Sequence, residues 1–246
     1  MSTICMIPAR FNSSRFPGKL LERARGKTVL QRTFENASRC KELDAIYVAT
    51  DDERIATHMD QLGAEVIWTS IGCKNGTERI AEALKIRPEL QQAEIVMNVQ
   101  GDLPCTSAES IGSVVRLLKN DGGAVMATAV VLIKNAKEFY SPHVVKCVFD
   151  HQSNALYFSR SPIPYSRQGM PKKAYHHIGL YAYRTKFLLS LLERTPTELQ
   201  IEEDLEQLQV MELGFKIKVA VVEDIPLGID TPQDLRKLKK QLALEL

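Results

Sequence analysis

Three cations lie close together near the N-terminus, in the segment formed by residues 4–19. Arg10, Arg15 and Lys19 follow a short apolar run and are separated by small or turn-forming residues. A buried strand that leads into a basic loop suits the binding of a polyanion at the carboxyl edge of a parallel sheet. Gly18 would let the backbone approach a phosphate, and Lys19 would place a point charge beside it. Composition alone also allows a surface loop with scattered cations.

Two aspartates come directly after segments that we predict to be buried strands. Asp102 follows Gly101 and a predicted strand, residues 94–100, that is apolar enough to be central in the sheet. A carboxylate at that position is expected to point out of the edge of the sheet. Asp230 lies in the motif GIDTP, which opens the last predicted helix with Pro232 at its first position. Its simpler interpretation is the N-cap of that helix.

The motif NGTER, Asn75 to Arg79, follows a second polar loop and opens a predicted helix. Short polar side chains and backbone amides in such a loop suit the recognition of a pyrimidine edge, and Arg79 could reach a phosphate or a base. The sequence alone favours a plainer role, in which Thr77 caps the helix, Glu78 occupies its first turn and Arg79 is solvated.

The overall composition argues against two classes of binding protein. The formal net charge is +2 and 25% of residues are charged, without a basic block, so we expect no nucleic-acid binding. The longest largely apolar run, residues 124–133, is too short to span a bilayer, and we expect no membrane association and no secretory leader. Five cysteines without a C-x-x-C spacing favour reduced thiols in a cytoplasmic protein, with Cys5 and Cys147 buried.

Strand and helix patterns alternate along the chain, which predicts an α/β fold with a mixed, mostly parallel sheet flanked by helices. Predicted strands cover residues 4–7, 45–49, 65–69, 94–100, 124–133, 144–150, 155–160, 176–184 and 216–223. Predicted helices cover residues 28–39, 50–62, 76–86, 107–119, 185–194 and 203–213, and a last one begins at Thr231. We expect a single domain, residues 1–246, with an inserted arm around residues 135–180.

A series of motifs carries a family resemblance that extends over nearly the whole chain. In order they are PARFNSSRFPGK, VATDDERI, NGTERI, NVQGDLP, VKCVF, ALYFSR, HIGLYAYR, LEQLQVMELGFKIKV and GIDTP. The sequence resembles the 3-deoxy-manno-octulosonate cytidylyltransferase (CMP-Kdo synthetase) family. This resemblance implies a Rossmann-like nucleotidyltransferase fold, a homodimer formed through the inserted arm, and Mg2+ dependence. The implied reaction joins CTP and 3-deoxy-D-manno-octulosonate (Kdo) into CMP-Kdo and pyrophosphate, a step in lipopolysaccharide biosynthesis.

The resemblance also assigns roles to individual residues. It implies that the nucleotide is bound by Ala9, Arg10, Arg15, Lys19, Asn75, Gly76, Thr77 and Arg79. It implies that Lys19, Asp102 and Asp230 are catalytic and that the two aspartates bind Mg2+, for which hard oxygen ligands are suited. The implied sugar-binding residues are Gln100, Arg160, His177, Tyr181, Glu206 and Gln207.

Among the sugar-binding candidates, Arg160 has the clearest chemical reason, because the sugar acid needs a cation for its carboxylate. His177 and Tyr181 lie in a predicted strand and could instead be half-buried side chains with only a packing role. Glu206 and Gln207 could instead be solvated helix surface.

One position departs from the family pattern, and three alternatives remain open. The family commonly has an acid where this chain has Leu103, next to Asp102, and we expect Leu103→Glu to be tolerated for that reason. The motifs do not separate Kdo from its 8-amino analogue or from another 2-keto sugar acid as the substrate. A nicotinamide oxidoreductase would share the α/β alternation, but the first strand is not followed by a G-x-G-x-x-G motif. A catalytically inactive regulator would be expected to lack Lys19, Asp102 or Asp230.

Overall fold

The computed structural model describes residues 2–223 and 227–244. The chain divides into two compact units, one formed by Met1–Gly112 with Asp224–Leu246 and the other by Ser113–Glu223. The arm predicted around residues 135–180 falls within the second unit.

The strands and helices follow the predicted alternation. The strands are β1 (Thr3–Ala9), β2 (Arg23–Ala24), β3 (Lys27–Thr28), β4 (Ala45–Thr50), β5 (Glu65–Trp68), β6 (Ile95–Val99), β7 (Ala124–Leu132), β8 (Lys146–Phe149), β9 (Ala155–Ser159), β10 (Tyr175–Arg184) and β11 (Lys216–Val221). The helices are α1 (Val29–Ser38), α2 (Glu53–Asp60), α3 (Gly76–Ile86), α4 (Ala108–Asn120), α5 (Ala136–Phe139), α6 (Thr185–Leu191), α7 (Glu198–Glu203), α8 (Glu206–Glu212) and α9 (Pro232–Leu244). Short 3-10 turns cover Lys19–Leu21 and Pro88–Gln92.

In the first unit, β1 lies between two parallel partners. It pairs with β4 on one side and β6 on the other, and β4 pairs with β5, all in parallel. Every residue of β1 and β6 is buried, as expected for parallel strands that are covered on both faces. Parallel strands end at a common edge, so this arrangement brings the segments that follow β1, β4 and β6 to the same side of the sheet.

Strand β1 continues two residues beyond the predicted end at Ile7. Pro8 has no N–H to donate to a neighbouring strand, and for that reason the sequence predicts that β1 ends before it. The register with β6 finishes at Met6 opposite Asn98, whereas the register with β4 continues to Ala9 opposite Thr50. Pro8 therefore lies where β1 has one strand neighbour in this unit, and its missing N–H leaves the ladder with β4 intact.

The second unit contains a mixed sheet. Strand β7 pairs in parallel with β11 and antiparallel with β10, and β8 pairs antiparallel with β10 and β9. The register of β10 against β7 shifts between Ile178 and Tyr181. Such an irregularity is typical of strands that redirect side chains next to functional sites.

One predicted helix is wrong in its extent. Residues 203–213 do not form one helix, because Asp204 has a left-handed backbone with φ 51° and separates α7 from α8. Helix α7 begins earlier than predicted, with a capping box formed by Thr197 and Gln200. The spacing T-x-x-Q was present in the sequence and is a recognised signal for a helix N-terminus.

The cysteines agree with the predicted reduced state. None of the five, all of which lie in the described part of the chain, forms a disulfide, and Cys5, Cys40 and Cys147 are buried. Burial raises the pKa of the Cys5 and Cys147 thiols. Within residues 2–223 and 227–244, no helix is long and apolar enough to cross a membrane.

Candidate functional site

Lys19 lies between the two aspartates that the sequence singles out. Its Nζ atom is 2.6 Å from Asp102 Oδ2 and 3.0 Å from Asp230 Oδ1. The lysine side chain is only 11% exposed. Burial by itself would lower the pKa of Lys19, but the hydrogen bonds and charges of the two aspartates outweigh that effect, and the pKa is raised. The ammonium is therefore firmly protonated at neutral pH.

Backbone contacts hold the two aspartates beside each other. The N–H of Ile229 donates to the carbonyl oxygen of Asp102 at 3.0 Å, which brings the segment containing Asp230 against the end of β6. Gly101 lets the end of β6 pack closely against β1 and α1, because a Cβ atom there would lie 3.1 Å from both the Pro8 carbonyl oxygen and Leu30 Cδ1. Leu103 is 8% exposed and is therefore part of the buried core next to Asp102.

Asp230 does not cap helix α9. Thr231 and Asp234 form reciprocal hydrogen bonds, in which the Thr231 N–H donates to Asp234 Oδ2 at 3.0 Å and the Asp234 N–H donates to Thr231 Oγ1 at 3.3 Å. This pairing caps the helix. The Asp230 carboxylate is left to bind cations, and Arg15 Nη2 lies 3.0 Å from its Oδ1 atom.

The basic loop is closed on itself by contacts of Gly18 and of two residues that the sequence did not single out, Phe11 and Arg54. The Gly18 N–H donates to the Phe11 carbonyl at 2.9 Å, and Gly18 has the left-handed φ of 72° that favours glycine. The guanidinium of Arg54 lies 3.3 Å from the centroid of the Phe11 ring. Arg10 is exposed, and its Nη1 atom donates to the Lys74 carbonyl at 3.4 Å. The loop therefore presents exposed cations on a locally fixed backbone.

The NGTER motif opens helix α3, but with different roles from those predicted. Asn75, not Thr77, caps the helix, because its Oδ1 atom accepts from the Glu78 N–H at 2.8 Å. Thr77 is buried. The expected solvation of Arg79 is wrong: the residue is 3% exposed, its Nη2 atom lies 3.3 Å from Asp51 Oδ2, and its Nη1 atom donates to Thr69 Oγ1 at 2.5 Å. Arg79 thereby ties α3 to the ends of β4 and β5.

Gln100 lies over the glycine of the same motif. A Cβ atom on Gly76 would be 2.9 Å from Gln100 Nε2 and 3.0 Å from Pro8 Cγ. The Gln100 amide also donates to Asn98 Oδ1 at 3.1 Å. A predicted sugar-binding side chain and the predicted base-recognition loop are thus in direct contact, and only glycine fits at position 76 without displacement.

In the second unit, His177 is the centre of a buried polar cluster. Its Nε2 atom lies 2.8 Å from Thr128 Oγ1, and its Nδ1 atom lies 3.4 Å from Gln207 Nε2. The Thr128 hydroxyl lies 2.8 Å from the Leu180 carbonyl, to which it donates, so Nε2 of His177 carries the proton and donates to Thr128. Burial lowers the pKa of His177 to about 3. The imidazole is therefore neutral at physiological pH, with Nδ1 accepting from Gln207.

Tyr181 and Glu206 lie next to this cluster. The Tyr181 and His177 ring centroids are 5.5 Å apart. Burial, followed by the charge of Glu206, raises the pKa of the Tyr181 hydroxyl, which is therefore protonated. His177 is 6% exposed, and Gln207 is 2% exposed and not solvated helix surface. The second unit thus brings together four of the predicted sugar-binding residues.

Arg160 follows β9 and is oriented by backbone carbonyls. Its Nε atom donates to the Glu203 carbonyl at 2.7 Å, and its Nη1 and Nη2 atoms donate to the carbonyls of Pro142 and Asp204 at 3.3 Å each. The side chain is 37% exposed. A guanidinium that is fixed and partly open to solvent suits the binding of a carboxylate.

Comparison with known proteins agrees with these features. Residues 4–218 match the family model described as cytidylyltransferase. The chain is 44% identical over 243 residues to 3-deoxy-manno-octulosonate cytidylyltransferase of Protochlamydia amoebophila, covering 98% of this chain and 94% of that protein. It is 46% identical over 238 residues to the mitochondrial 3-deoxy-manno-octulosonate cytidylyltransferase of Arabidopsis thaliana, covering 95% and 81%. A solved structure of CMP:2-keto-3-deoxy-manno-octonic acid synthetase complexed with CTP aligns with a TM-score of 0.94 at 34% identity and covers all of both chains.

Proposed function

The chain belongs to the 3-deoxy-manno-octulosonate cytidylyltransferase family, and from that premise we propose that it transfers CMP from CTP to Kdo with release of pyrophosphate. The product would supply an activated sugar acid for lipopolysaccharide biosynthesis. The observation that carries the proposal is the Lys19–Asp102–Asp230 constellation beside an exposed basic loop, in a chain whose family match is nearly complete.

The nucleotide would be bound by the edge of the sheet in the first unit. Arg10 and Arg15 are exposed and can meet the outer phosphates, and Lys19 can exchange a carboxylate partner for a phosphate oxygen. The capped N-terminus of α3, with Asn75 and Gly76, would face the cytosine. Arg79 would contribute by holding this loop in place, since its guanidinium is already bonded to Asp51 and Thr69.

Asp102 and Asp230 would hold Mg2+. The fit rests on their donor chemistry: two carboxylates converge on one cation, the ammonium of Lys19, and hard oxygen ligands are those that Mg2+ prefers. In the part of the chain that the structure describes, no group of three or more His, Cys, Asp or Glu side chains is placed to bind a metal. Two protein carboxylates agree with the usual coordination of Mg2+, which commonly binds one or two carboxylates together with substrate phosphates. When bound, Mg2+ would neutralise charge on the phosphate oxygens.

Residues of the second unit would bind the sugar acid. Arg160 would pair with its carboxylate, while His177, Tyr181, Glu206 and Gln207 would meet its hydroxyls. His177 cannot serve as a general base in the arrangement described, because Nε2 carries a proton and Nδ1 accepts from Gln207. Its role is to orient the substrate, and attack of the anomeric hydroxyl on the α-phosphorus would depend on alignment and charge neutralisation.

A homodimer in the cytoplasm is the proposed form of the enzyme. Exposed apolar side chains in the second unit support a second copy as the partner: Leu156 is 59%, Tyr165 88% and Ile201 65% exposed. Free cysteines support a reducing compartment. Light scattering should give twice the 27.6 kDa chain mass. A single-chain mass at micromolar concentration would contradict the dimer without affecting the proposed reaction.

The reaction is tested by measuring pyrophosphate release with Mg2+, each of the four nucleoside triphosphates and a panel of 2-keto sugar acids. The panel includes Kdo, 8-amino-3,8-dideoxy-octulosonate and a sialic acid. We expect turnover with CTP and Kdo, and its loss in Asp102→Asn. Higher kcat/KM for the 8-amino sugar would reassign the substrate within the same reaction. Absence of pyrophosphate release with every sugar acid would overturn the proposal.

A further inference from the structure

Lys146 is a fully buried lysine in β8 whose ammonium binds only backbone carbonyls among the described residues. The residue is 0% exposed. Its Nζ atom donates to the carbonyls of Ser141 at 2.9 Å and Val144 at 2.6 Å, and to that of Arg160. Burial lowers the pKa of Lys146. Burying an ammonium is costly unless all its donors are satisfied, and here one of three donors is committed to the carbonyl of the proposed carboxylate-binding arginine.

Glu203 binds the main-chain N–H of Arg160, whose carbonyl Lys146 binds. Its Oε2 atom accepts from the Arg160 N–H at 2.8 Å, and its Oε1 atom accepts from the Ser159 hydroxyl. The backbone carbonyl of Glu203 also accepts from Arg160 Nε at 2.7 Å. The left-handed backbone of Asp204, with φ 51°, follows directly and turns the chain so that the carbonyls of both residues reach the guanidinium. A non-glycine residue at such a φ is uncommon and is often found at functional sites.

Two side chains of opposite charge therefore hold the main chain of Arg160. The cation binds its carbonyl and the anion binds its N–H, so each partner matches the polarity of the group that it contacts. The Arg160 side chain uses three of its five N–H donors on carbonyls of described residues, and its Nη2 atom also lies 3.7 Å from Oδ2 of the exposed Asp204 side chain. A ligand carboxylate can take the place of Asp204 at the two remaining donors. Neither Lys146 nor Glu203 needs to touch that ligand in order to fix where the two donors point.

We propose that Lys146 and Glu203 are positioning residues for sugar-acid binding, which act by fixing the main chain and the guanidinium of Arg160. This inference rests on the proposed function, because it takes Arg160 as the partner of the sugar carboxylate. It predicts that changes at Lys146 or Glu203 weaken binding of the sugar acid, and that they do so only through Arg160. A purely structural role would instead affect both substrates or only the stability of the fold.

The test compares Lys146→Met and Glu203→Ala with Glu203→Gln, which keeps one acceptor oxygen for the Arg160 N–H. Exposed neighbours provide matched controls, Lys186→Met on α6 and Glu202→Ala on α7. Steady-state assays of pyrophosphate release give KM for Kdo, KM for CTP and kcat. We expect Lys146→Met and Glu203→Ala to raise KM for Kdo at least tenfold, with KM for CTP within twofold of wild type. Glu203→Gln should recover part of the loss, and both controls should match wild type.

The decisive measurement is a double-mutant cycle with Arg160→Ala. Because the proposed effect passes through Arg160, adding Lys146→Met or Glu203→Ala to Arg160→Ala should not raise KM for Kdo further. Additive increases, or increases shared equally by CTP, would overturn the inference. If circular dichroism shows that Lys146→Met does not fold, the Glu203 variants alone test the inference. A KM for Kdo that is unchanged in Arg160→Ala itself would instead contradict the proposed function of that residue.

Discussion

Gly76 and Gln100 are in contact at a point where no other side chain fits at position 76. A Cβ atom on Gly76 would lie 2.9 Å from Gln100 Nε2 and 3.0 Å from Pro8 Cγ. The Gln100 amide could rotate away, but the Pro8 ring belongs to β1 and is fixed. The proposed base-recognition loop and a proposed sugar-binding side chain therefore depend on each other's position.

Gly76→Ala should impair both substrates. The added methyl group displaces the Gln100 amide and strains the start of α3, which should lower the free energy of unfolding by about 1–3 kcal/mol. We expect higher KM values for CTP and for Kdo in the pyrophosphate assay. Gly122→Ala is the control, because nothing lies within 4 Å of a Cβ atom at that position. A Gly76→Ala enzyme with both KM values unchanged would show that the contact has no role in binding.

Lys19→Ala should weaken the use of CTP far more than that of Kdo. The change removes a largely buried ammonium that the two aspartates hold beside the basic loop. We expect a rise of at least tenfold in KM for CTP and little change in KM for Kdo. Lys41→Ala, which alters an exposed lysine of the same unit, should match wild type. An effect confined to Kdo would contradict the assignment of Lys19 to the nucleotide.

Asp230→Asn and Asp234→Ala should separate catalysis from helix capping. Asp234 forms the capping pair with Thr231, so its loss should cost about 1 kcal/mol of stability with a modest effect on kcat. Asp230→Asn should lower kcat by about two orders of magnitude or more, because its carboxylate serves cations rather than the helix. The Asp102→Asn/Asp230→Asn double variant should be little worse than either single variant. Near-normal kcat for Asp230→Asn at saturating Mg2+ would show that this carboxylate is not needed.

The sequence carried enough information to place the charged groups that follow strands. Parallel strands end at one edge, so a basic loop after β1 and a carboxylate after β6 could be expected to meet, and Lys19 and Asp102 do so at 2.6 Å. The capping role of Thr231 was also readable, because T-x-x-D is a capping-box spacing. The interpretation of Asp230 as the N-cap is wrong, because Thr231 and Asp234 form the capping pair.

Contacts between distant segments could not be predicted in the same way. Arg79 was expected to be solvated because it follows a cap on an amphipathic helix, and nothing local indicates that its partner is Asp51. Glu203 contacts Ser159 and Arg160, more than 40 residues earlier in the chain. Such pairs depend on which strands become neighbours, and the local pattern of a helix does not contain that information.

Leu103→Glu should be harmful, which reverses the expectation drawn from the sequence. Leu103 is 8% exposed and packs near Gly228, so a glutamate would be placed in the core beside Asp102. Burying an unpaired carboxylate there should cost roughly 2 kcal/mol or more of stability. Thermal unfolding of Leu103→Glu and Leu103→Met, which conserves volume and polarity, measures the difference. Equal melting temperatures would mean that the acid finds a partner or solvent at this position.

The stability of the protein should fall as the pH is lowered from about 6.5 towards 4, in part through His177. Burial lowers the pKa of the folded-state imidazole to about 3, below its ordinary value of 6.5. Between these two values the unfolded chain binds a proton at this residue and the folded chain does not. Acidification therefore favours the unfolded state, by roughly 1.4 kcal/mol for each pH unit below the unfolded pKa.

The measurement is urea unfolding of wild type and His177→Gln at half-unit intervals between pH 7 and pH 4. Other groups titrate in both proteins, so the informative quantity is the difference between the two slopes of unfolding free energy against pH. We expect the wild type to lose stability more steeply, by a slope that corresponds to about one proton. Parallel curves for wild type and His177→Gln would mean that the pKa of this imidazole is the same in the folded and the unfolded chain, and would contradict a lowered pKa for His177.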